Sequence, residues 1–145
     1  VVQRVSCASV TVDQKIIGEI GKGLLLLVGI GQTDSEKDVR LMVRKIVSLR
    51  IFPDKKEKMK ASIKDINGEV LVVPQFTLHA DLKGQNRPYF GSAAKPKKAK
   101  ELFEAFVEEL KIKVKKLEIG KFSAYMQVTL TNDGPVTIYI DSNSI

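Results

Sequence analysis

The sequence contains one cysteine, Cys7, and one histidine, His79, two residue types that commonly act as nucleophile or general base. Single copies exclude an internal disulfide framework and a structural zinc site built from Cys and His. A catalytic triad would have to pair His79 with Asp81, and no Gly-x-Ser-x-Gly motif accompanies them. We interpret His79 as a polar residue at a strand end and Cys7 as a buried structural thiol. No metal or cofactor is expected.

Two irregular segments are stronger candidates for a functional site. In Val72–Leu78, Pro74 and Gln75 interrupt an apolar run, and proline is confined to strand edges, strand starts or bulges. The segment is therefore either a plain edge strand or a strand whose later backbone N–H groups point into a pocket. Asn132–Thr137 has the composition of a turn between strands. Because only about 5–6% of X–Pro bonds in folded proteins are cis, spacing alone does not predict a cis bond at Pro135.

The elements that must hold these segments follow from apolar periodicity. A chain of 145 residues fits one domain, residues 1–145. A 3.6-residue repeat predicts two helices, Asp34–Arg50 and Pro96–Leu110, with Asp81–Ala94 as a long loop before the second. The pair Asn67–Gly68 predicts a hairpin. The predicted strands are Val1–Val12, Ile16–Ile20, Leu24–Ile30 (continuously apolar and so buried on both faces), Val70–Leu78, Phe122–Leu130 and Val136–Ile140. The fold class is therefore α+β.

Charge and hydropathy indicate the compartment and the class of partner. The sequence has 24 Lys and Arg against 17 Asp and Glu, a formal net charge of +7. This basic balance is compatible with a nucleic-acid partner but does not require one. The longest apolar run, Leu24–Val28, is far shorter than the roughly 18 residues of a membrane span. No segment has the features of a signal peptide, so we expect a cytoplasmic protein that does not bind membranes.

The second predicted helix carries its charges in the order that opposes the helix dipole. Lys97, Lys98 and Lys100 lie at its start, and Glu108 and Glu109 lie near its end. One interpretation is a solvated face on which i,i+4 pairs with glutamates reduce the cost. The other is an anion site, in which the three lysines and the free N–H groups of the first turn bind a phosphate. The sequence leaves both interpretations open.

Taken together, five segments of the chain resemble the D-aminoacyl-tRNA deacylase family. The similar segments are Val2–Val12, Gln75–Leu78, Arg87–Phe90, Met126–Val128 and Asn132–Thr137. Gln75–Leu78 is similar to the family's first motif and Asn132–Thr137 to its second, so two separated motifs occur in order. The resemblance spans nearly the whole chain. One residue departs from the pattern, because the family's first motif usually begins with Ser and this chain has Pro74.

The resemblance implies an activity, a fold and an assembly. The activity is hydrolysis of the ester that joins a D-amino acid to the 3′-terminal adenosine of tRNA, and of glycine mischarged on tRNA-Ala. The fold is a mostly antiparallel, barrel-like β structure with flanking helices, acting as a homodimer on the aminoacylated 3′ end of tRNA. The Gly134–Pro135 bond would be cis and would enter the partner subunit's active site, where rigid backbone excludes L-amino acids. Arg4 and Asn132 would support this dipeptide.

The chemistry of that reaction suggests roles for individual residues, because an aminoacyl ester is already reactive and needs mainly stabilisation of its oxyanion. The backbone N–H groups of Phe76 and Thr77 are expected to stabilise the developing oxyanion, with water as nucleophile and the tRNA's own 2′-hydroxyl assisting. Gln75 and Met126, together with Phe76, would shape the pocket for the adenosine and the aminoacyl group. Pro74 has no hydroxyl, so a mechanism that needs the family Ser cannot operate here, and we expect the Thr77 side chain to be a packing or positioning group.

Two rival functions stay compatible with the sequence. A non-catalytic module that binds DNA or tRNA would use the basic charge without the reaction. A general aminoacyl- or peptidyl-tRNA esterase would use the pocket without chirality. If tRNA is the partner, Lys97, Lys98 and Lys100 would contact the acceptor-stem backbone. Deacylation of matched D- and L-aminoacyl-tRNA separates these possibilities.

Overall fold

Eight strands and two long helices make up the fold, which a computed structural model describes over residues 1–145. The strands are β1 (Val2–Val12), β2 (Lys15–Ile20), β3 (Gly23–Val28), β4 (Phe52–Pro53), β5 (Met59–Ala61), β6 (Glu69–Pro74), β7 (Lys116–Ile119) and β8 (Gln127–Ile138). The helices are α1 (Glu36–Ser48) and α2 (Pro96–Lys111). The predicted α+β class with two main helices is confirmed. Neither helix has the length and apolar character needed to span a bilayer.

Strand β1 organises the main sheet. β2 and β3 pair antiparallel with successive halves of one edge of β1, while β8 pairs antiparallel along its other edge. β6 then pairs parallel with β3, and β7 pairs parallel with β6, which gives the order β2-β1-β3-β6-β7. Antiparallel pairs therefore outnumber parallel ones in a mixed sheet.

The sheet curls into a nearly closed barrel because its two end strands, β2 and β7, approach each other. Gly18 of β2 lies against Glu118 of β7, with 3.2 Å between the Glu118 Cβ and the position that a Cβ would take on Gly18. The Glu69 carboxylate links the same strands by accepting from the Gly21 N–H at 2.8 Å and from the Lys116 ammonium at 3.3 Å. These two donors, the Gly21 N–H first, hold the pKa of Glu69 below its ordinary value.

Successive side chains of the central strands point to opposite faces of the sheet, so the core has two layers. Side chains such as Leu25 and Leu71 pack inside the barrel, whereas Leu24 and Leu26 pack with the buried faces of α1 and α2. Burying each such leucine contributes about 1.5–3 kcal/mol. The prediction that this strand is buried on both faces is confirmed for Leu24–Leu26, each at most 1% exposed.

The two helices begin in opposite ways. Ser35 caps α1 in a capping box with Asp38, whose carboxylate accepts from the Ser35 hydroxyl and N–H; these bonds hold the pKa of Asp38 below its ordinary value. By contrast, α2 begins with Pro96 as its first residue, has no side-chain cap and has no acidic residue in its first turn. The first turn of α2 therefore carries the lysines that the sequence analysis placed against the helix dipole.

Two predicted turns are wrong. Asn67–Gly68 is not a hairpin, because β5 pairs with β4 while β6 pairs with β3; the residues end a turn that leads into a parallel strand. Asn132–Thr137 is not a turn between strands either, because β8 runs without interruption from Gln127 to Ile138. The irregularity is a bulge on β8 itself: Asn132 pairs with Val5 and Thr137 with Gln3, so the β8 residues between Asn132 and Thr137 lie opposite the single β1 residue Arg4. The strand predicted at Phe122–Leu130 accordingly begins only at Gln127.

The interpretation of Cys7 as a buried thiol is also wrong, since this residue is exposed. The register shifts beside Val5 break the alternation of β1, so that Ser6 and Cys7 are both on the surface. The Cys7 sulfur lies 3.7 Å from the Thr131 hydroxyl of β8.

Candidate functional site

The strand predicted over Val70–Leu78 ends at Pro74, and residues Phe76–His79 form one 3₁₀ turn. The Gln75 N–H still donates to the Val28 carbonyl at 2.8 Å, which extends the β3–β6 pairing by one step before the chain turns. The prediction that the strand itself continues and points its later N–H groups into a pocket is therefore wrong, because the N–H groups after Gln75 belong to a 3₁₀ turn.

Hydrogen bonds within this turn start with the Leu78 N–H, which donates to the Gln75 carbonyl at 3.3 Å. The backbone N–H groups of Phe76 and Thr77 precede that first bond, as the leading N–H groups of any helical turn do. The Gln75 side-chain amide donates to the Thr77 hydroxyl and so ties the Thr77 side chain to its own turn. Phe76, by contrast, is 59% exposed.

A cavity of about 570 Å³ opens beside the turn. Four segments form its walls: the end of β3, the end of β6 with the start of the turn, the first two turns of α2, and the connection that leads into β8. Representative lining residues are Gln75, Phe76, Ala99, Phe103, Tyr125 and Met126. The structure thus brings together the three residues that were expected to shape a pocket, Gln75, Phe76 and Met126.

An aromatic contact connects this pocket to the predicted loop Asp81–Ala94. The rings of Phe76 and Phe90 meet edge to face, with their centroids 5.0 Å apart. The loop is held at Gln32, whose N–H donates to the Ser92 carbonyl at 2.9 Å and whose side-chain amide donates to the Gly91 carbonyl. The loop therefore positions an aromatic ring against the pocket.

The Gly134–Pro135 dipeptide is exposed and does not line the pocket of its own chain. Its peptide bond is cis. Asn132 closes the backbone around it, since the Asn132 amide oxygen accepts from the Val136 N–H at 2.7 Å and its amide nitrogen donates to the Thr137 hydroxyl at 2.9 Å. An asparagine side chain that bonds to nearby backbone in this way replaces the ladder bonds that the strand loses.

Arg4 lies behind the same dipeptide, with a side chain only 11% exposed. Its guanidinium donates to the Asp133 carbonyl at 2.8 Å and to the Ile51 carbonyl at 2.5 Å. The Asp133 carboxylate lies 3.5 Å from the same guanidinium. The planar fork of arginine thus links the residue before Gly134 to the segment that follows α1.

The three lysines of α2 are placed differently from one another. Lys97 and Lys100 are exposed, with the Lys100 ammonium 3.8 Å from the Glu104 carboxylate, as one of the predicted i,i+4 pairs requires. Lys98 instead turns toward the chain and donates to the Gln32 carbonyl at 2.5 Å. Because Ala99 lines the cavity, this first turn of α2 lies at the cavity's edge.

No triad forms around His79. The His79 ring packs against the glycine backbone at Gly29 and Gly31, within 3.2 Å of the positions that their Cβ atoms would take. The Asp81 carboxylate accepts from the Lys83 N–H at 2.8 Å and makes no hydrogen bond with His79.

Sequence reasoning assigned only Gln75, Phe76 and Met126 of the lining residues to the site, and those it did not assign include Ala99, Phe103, Phe122 and Tyr125. The apolar stripe of α2 includes Ala99 and Phe103, and a stripe of that kind is an ordinary core signal. Nothing in the sequence distinguishes the residues of such a stripe that face a cavity from those that pack in the core.

The chain is similar to known proteins both in sequence and in structure. The family model described as D-Tyr-tRNA(Tyr) deacylase matches residues 1–141. A D-aminoacyl-tRNA deacylase of Thermotoga petrophila is 54% identical over 145 residues, covering 100% of this chain and 97% of that protein. The structure of a c-Myc DNA unwinding element binding protein is similar with a TM-score of 0.92 at 44% identity, covering 97% of this chain and 95% of that one. A structure described as a probable eukaryotic D-amino acid tRNA deacylase has a TM-score of 0.81 at 14% identity, covering 92% and 93%, which is a likeness of fold alone.

Proposed function

The chain belongs to the D-Tyr-tRNA(Tyr) deacylase family, and on that premise we propose that it hydrolyses the ester bond of D-aminoacyl-tRNA, including glycine mischarged on tRNA-Ala. The observation that carries the proposal is the family match along residues 1–141. The test is release of the amino acid from D-tyrosyl-tRNA by the purified protein. Release at the uncatalysed rate would overturn the proposal.

In the reaction, water attacks the carbonyl carbon of the ester, and the bond from that carbon to the ribose oxygen then breaks. We assign the Phe76 and Thr77 N–H groups as donors to the oxyanion that forms between these steps. Their position ahead of the first hydrogen bond of the 3₁₀ turn supports this assignment. The loss of one such donor typically costs about 10²–10³ in rate. The family resemblance favours assistance by the 2′-hydroxyl of the tRNA in place of a side-chain base.

Thr77→Ala is expected to keep hydrolysis within a few-fold of the wild-type rate, because the Thr77 backbone N–H is unchanged and Pro74 already lacks a hydroxyl. Thr77→Val should behave in the same way, since it keeps the shape of the side chain. The measurement is single-turnover hydrolysis, with circular dichroism to check folding. A loss of several orders of magnitude in both folded variants would contradict the assignment of backbone donors.

Chirality, in this proposal, is selected by a second copy of the chain. In a homodimer the Gly134–Pro135 dipeptide of one subunit enters the pocket beside Gln75, Phe76 and Thr77 of its partner. The exposure of the dipeptide on its own chain, and its absence from its own pocket, support this arrangement. Backbone carbonyls near the α-amino group would leave no room for an L side chain, while a D side chain or the hydrogen of glycine fits.

The lysines at the start of α2 extend the proposal to the body of the tRNA. We assign Lys97, Lys98 and Lys100 to the phosphates of the acceptor stem, because the neighbouring Ala99 lines the pocket edge. The three lysines differ in their surroundings, since Lys97 and Lys100 are exposed whereas Lys98 donates to the Gln32 carbonyl. The exposed pair is accordingly expected to provide most of the binding.

Replacing Lys97, Lys98 and Lys100 together by Gln should weaken tRNA binding and reduce the dependence of log Kd on log salt, with no change in the preference for D over L. Each lost phosphate contact on a duplex reduces that slope by about 0.9. A matched control replaces the exposed lysines Lys55, Lys56 and Lys58 between β4 and β5, which removes the same charge elsewhere. Equal salt slopes in the two triple variants would contradict a local phosphate contact.

A second candidate function is DNA binding without catalysis. It is favoured by the 44% identity to the c-Myc DNA unwinding element binding protein and by the net charge of +7. Binding of a duplex DNA by a protein that leaves D-tyrosyl-tRNA intact would support this candidate over the deacylase.

A further inference from the structure

Tyr125 is the most exposed large hydrophobic residue of the chain, with 88% of its surface accessible, and it lies on the wall of the pocket that contains Gln75 and Phe76. The reaction proposed above uses neither its ring nor its hydroxyl. A tyrosine buries a large apolar ring when it can, so a ring left in water at a pocket edge is available for a ligand.

The segment that carries Tyr125 is anchored on both sides. Before it, the Phe122 ring packs on Phe103 of α2 with centroids 6.1 Å apart. After it, the Met126 sulfur accepts from the Lys121 N–H at 3.3 Å. These contacts fix the backbone at two points around the ring. Tyr125 therefore presents its ring from a defined position at the rim.

The size of the pocket indicates which part of an RNA ligand would lie at the pocket edge, next to Tyr125. A cavity of about 570 Å³ is in the range that accommodates one small-molecule-sized group. One terminal nucleoside with its amino acid is such a group, and the next nucleotide of the same strand must then lie outside the cavity. Unpaired RNA bases bind proteins mainly by stacking on aromatic side chains, while cations nearby attract the backbone. The exposed Lys121 begins the turn that leads to Tyr125 and supplies a cation four residues before it.

We propose that the Tyr125 ring stacks on the base of the penultimate nucleotide of the tRNA 3′ end and so helps to hold the terminal nucleotide in the pocket. This inference rests on the proposed function, because it needs an aminoacylated RNA end as the ligand. Stacking tolerates any base and does not contact the amino acid. Tyr125 therefore contributes to substrate length preference and not to the choice between D and L.

The test compares two substrates that carry the same D-amino acid: the aminoacyl-adenosine alone, and the 3′-terminal aminoacyl dinucleotide. Tyr125→Ala is expected to lower kcat/KM on the dinucleotide by about 5- to 150-fold, mostly through KM, since that is the range of base stacking on an aromatic ring. On the adenosine substrate the same variant should match the wild type. Tyr125→Phe, which keeps the ring, should match the wild type on both substrates.

The controls separate this inference from the function on which it rests. Tyr139→Ala removes another exposed tyrosine, 69% accessible and away from this pocket, and should leave both substrates unaffected. If the wild-type protein hydrolyses neither substrate and also leaves D-tyrosyl-tRNA intact, the proposed deacylase function fails. If it hydrolyses both and Tyr125→Ala has no effect, the stacking proposal alone is overturned. An equal loss on both substrates, or a changed oligomeric state in sedimentation, would also overturn it by making Tyr125 a pocket wall or a subunit contact.

Discussion

Gly134→Ala is expected to lower kcat/KM for D-aminoacyl-tRNA by about 100-fold or more, because misplacing a positioning group by about 1 Å can cost that much. Gly134 has a φ of +141°, a conformation that side chains rarely adopt. A Cβ there would lie 2.8 Å from a Val136 methyl carbon and 3.1 Å from the Arg4 guanidinium. The backbone must therefore shift, and glycyl-tRNA should be affected as strongly as larger substrates.

Gly84→Ala is the matched control for this variant. Gly84 also has a positive φ, +70°, but nothing lies within 4 Å of the position of its Cβ. Backbone strain of about 1–3 kcal/mol is common to both substitutions, so thermal unfolding should respond to both. Only Gly134→Ala should lose activity. Near wild-type turnover by a folded Gly134→Ala protein would contradict the role assigned to the dipeptide.

Arg4→Met is expected to reduce the ratio of kcat/KM for D- over L-aminoacyl-tRNA and to lower the free energy of unfolding by about 1–3 kcal/mol. The largely buried guanidinium satisfies two backbone carbonyls, at Asp133 and Ile51, and methionine leaves both without their donor. The Asp133 carbonyl immediately precedes Gly134, so its displacement moves the dipeptide. Arg4→Lys should recover part of the ratio, because an ammonium keeps the charge but not the fork geometry.

The D-over-L ratio distinguishes positioning from general destabilisation. A purely structural role for Arg4 would lower stability and leave the ratio unchanged in the protein that remains folded. Arg40→Met serves as control, because Arg40 is 57% exposed and makes a surface pair with Glu36 at 3.3 Å. Such pairs contribute about 0.3–0.5 kcal/mol, so Arg40→Met should change neither quantity appreciably.

Apolar periodicity predicted the helices and most strands, because these elements bury one continuous face. The helix predicted from Pro96 to Leu110 differs from α2 by one residue at its end. The run Leu24–Leu26 supplies both core layers at once, and a strand of that kind reads as continuously apolar.

The site was less predictable, because local composition there is overruled by contacts from distant parts of the chain. Asn132–Thr137 has a turn composition, yet the side chain of Asn132 and the guanidinium of Arg4 hold it as part of β8. The bonds from Arg4 join residues 129 positions apart, which no local pattern reveals. Cys7 was misassigned for the same reason, since the register shift in β1 depends on its pairing with β8.

At the end of β6, by contrast, the sequence did contain a local signal for the end of the strand. Pro74 has no N–H to continue a ladder, and the chain leaves the sheet one residue later. The family resemblance indicated a functional role for Gln75–Leu78, whereas only the structure shows that this segment forms a 3₁₀ turn.

Selection of the substrate by chirality is tested most directly by single-turnover hydrolysis of tyrosyl-tRNA prepared with D- or L-tyrosine on the same tRNA. We predict rapid release of D-tyrosine, release of L-tyrosine only at the rate measured without protein, and hydrolysis of glycyl-tRNA as well. Equal rates for the D and L substrates would contradict chiral selection and indicate a general aminoacyl-tRNA esterase.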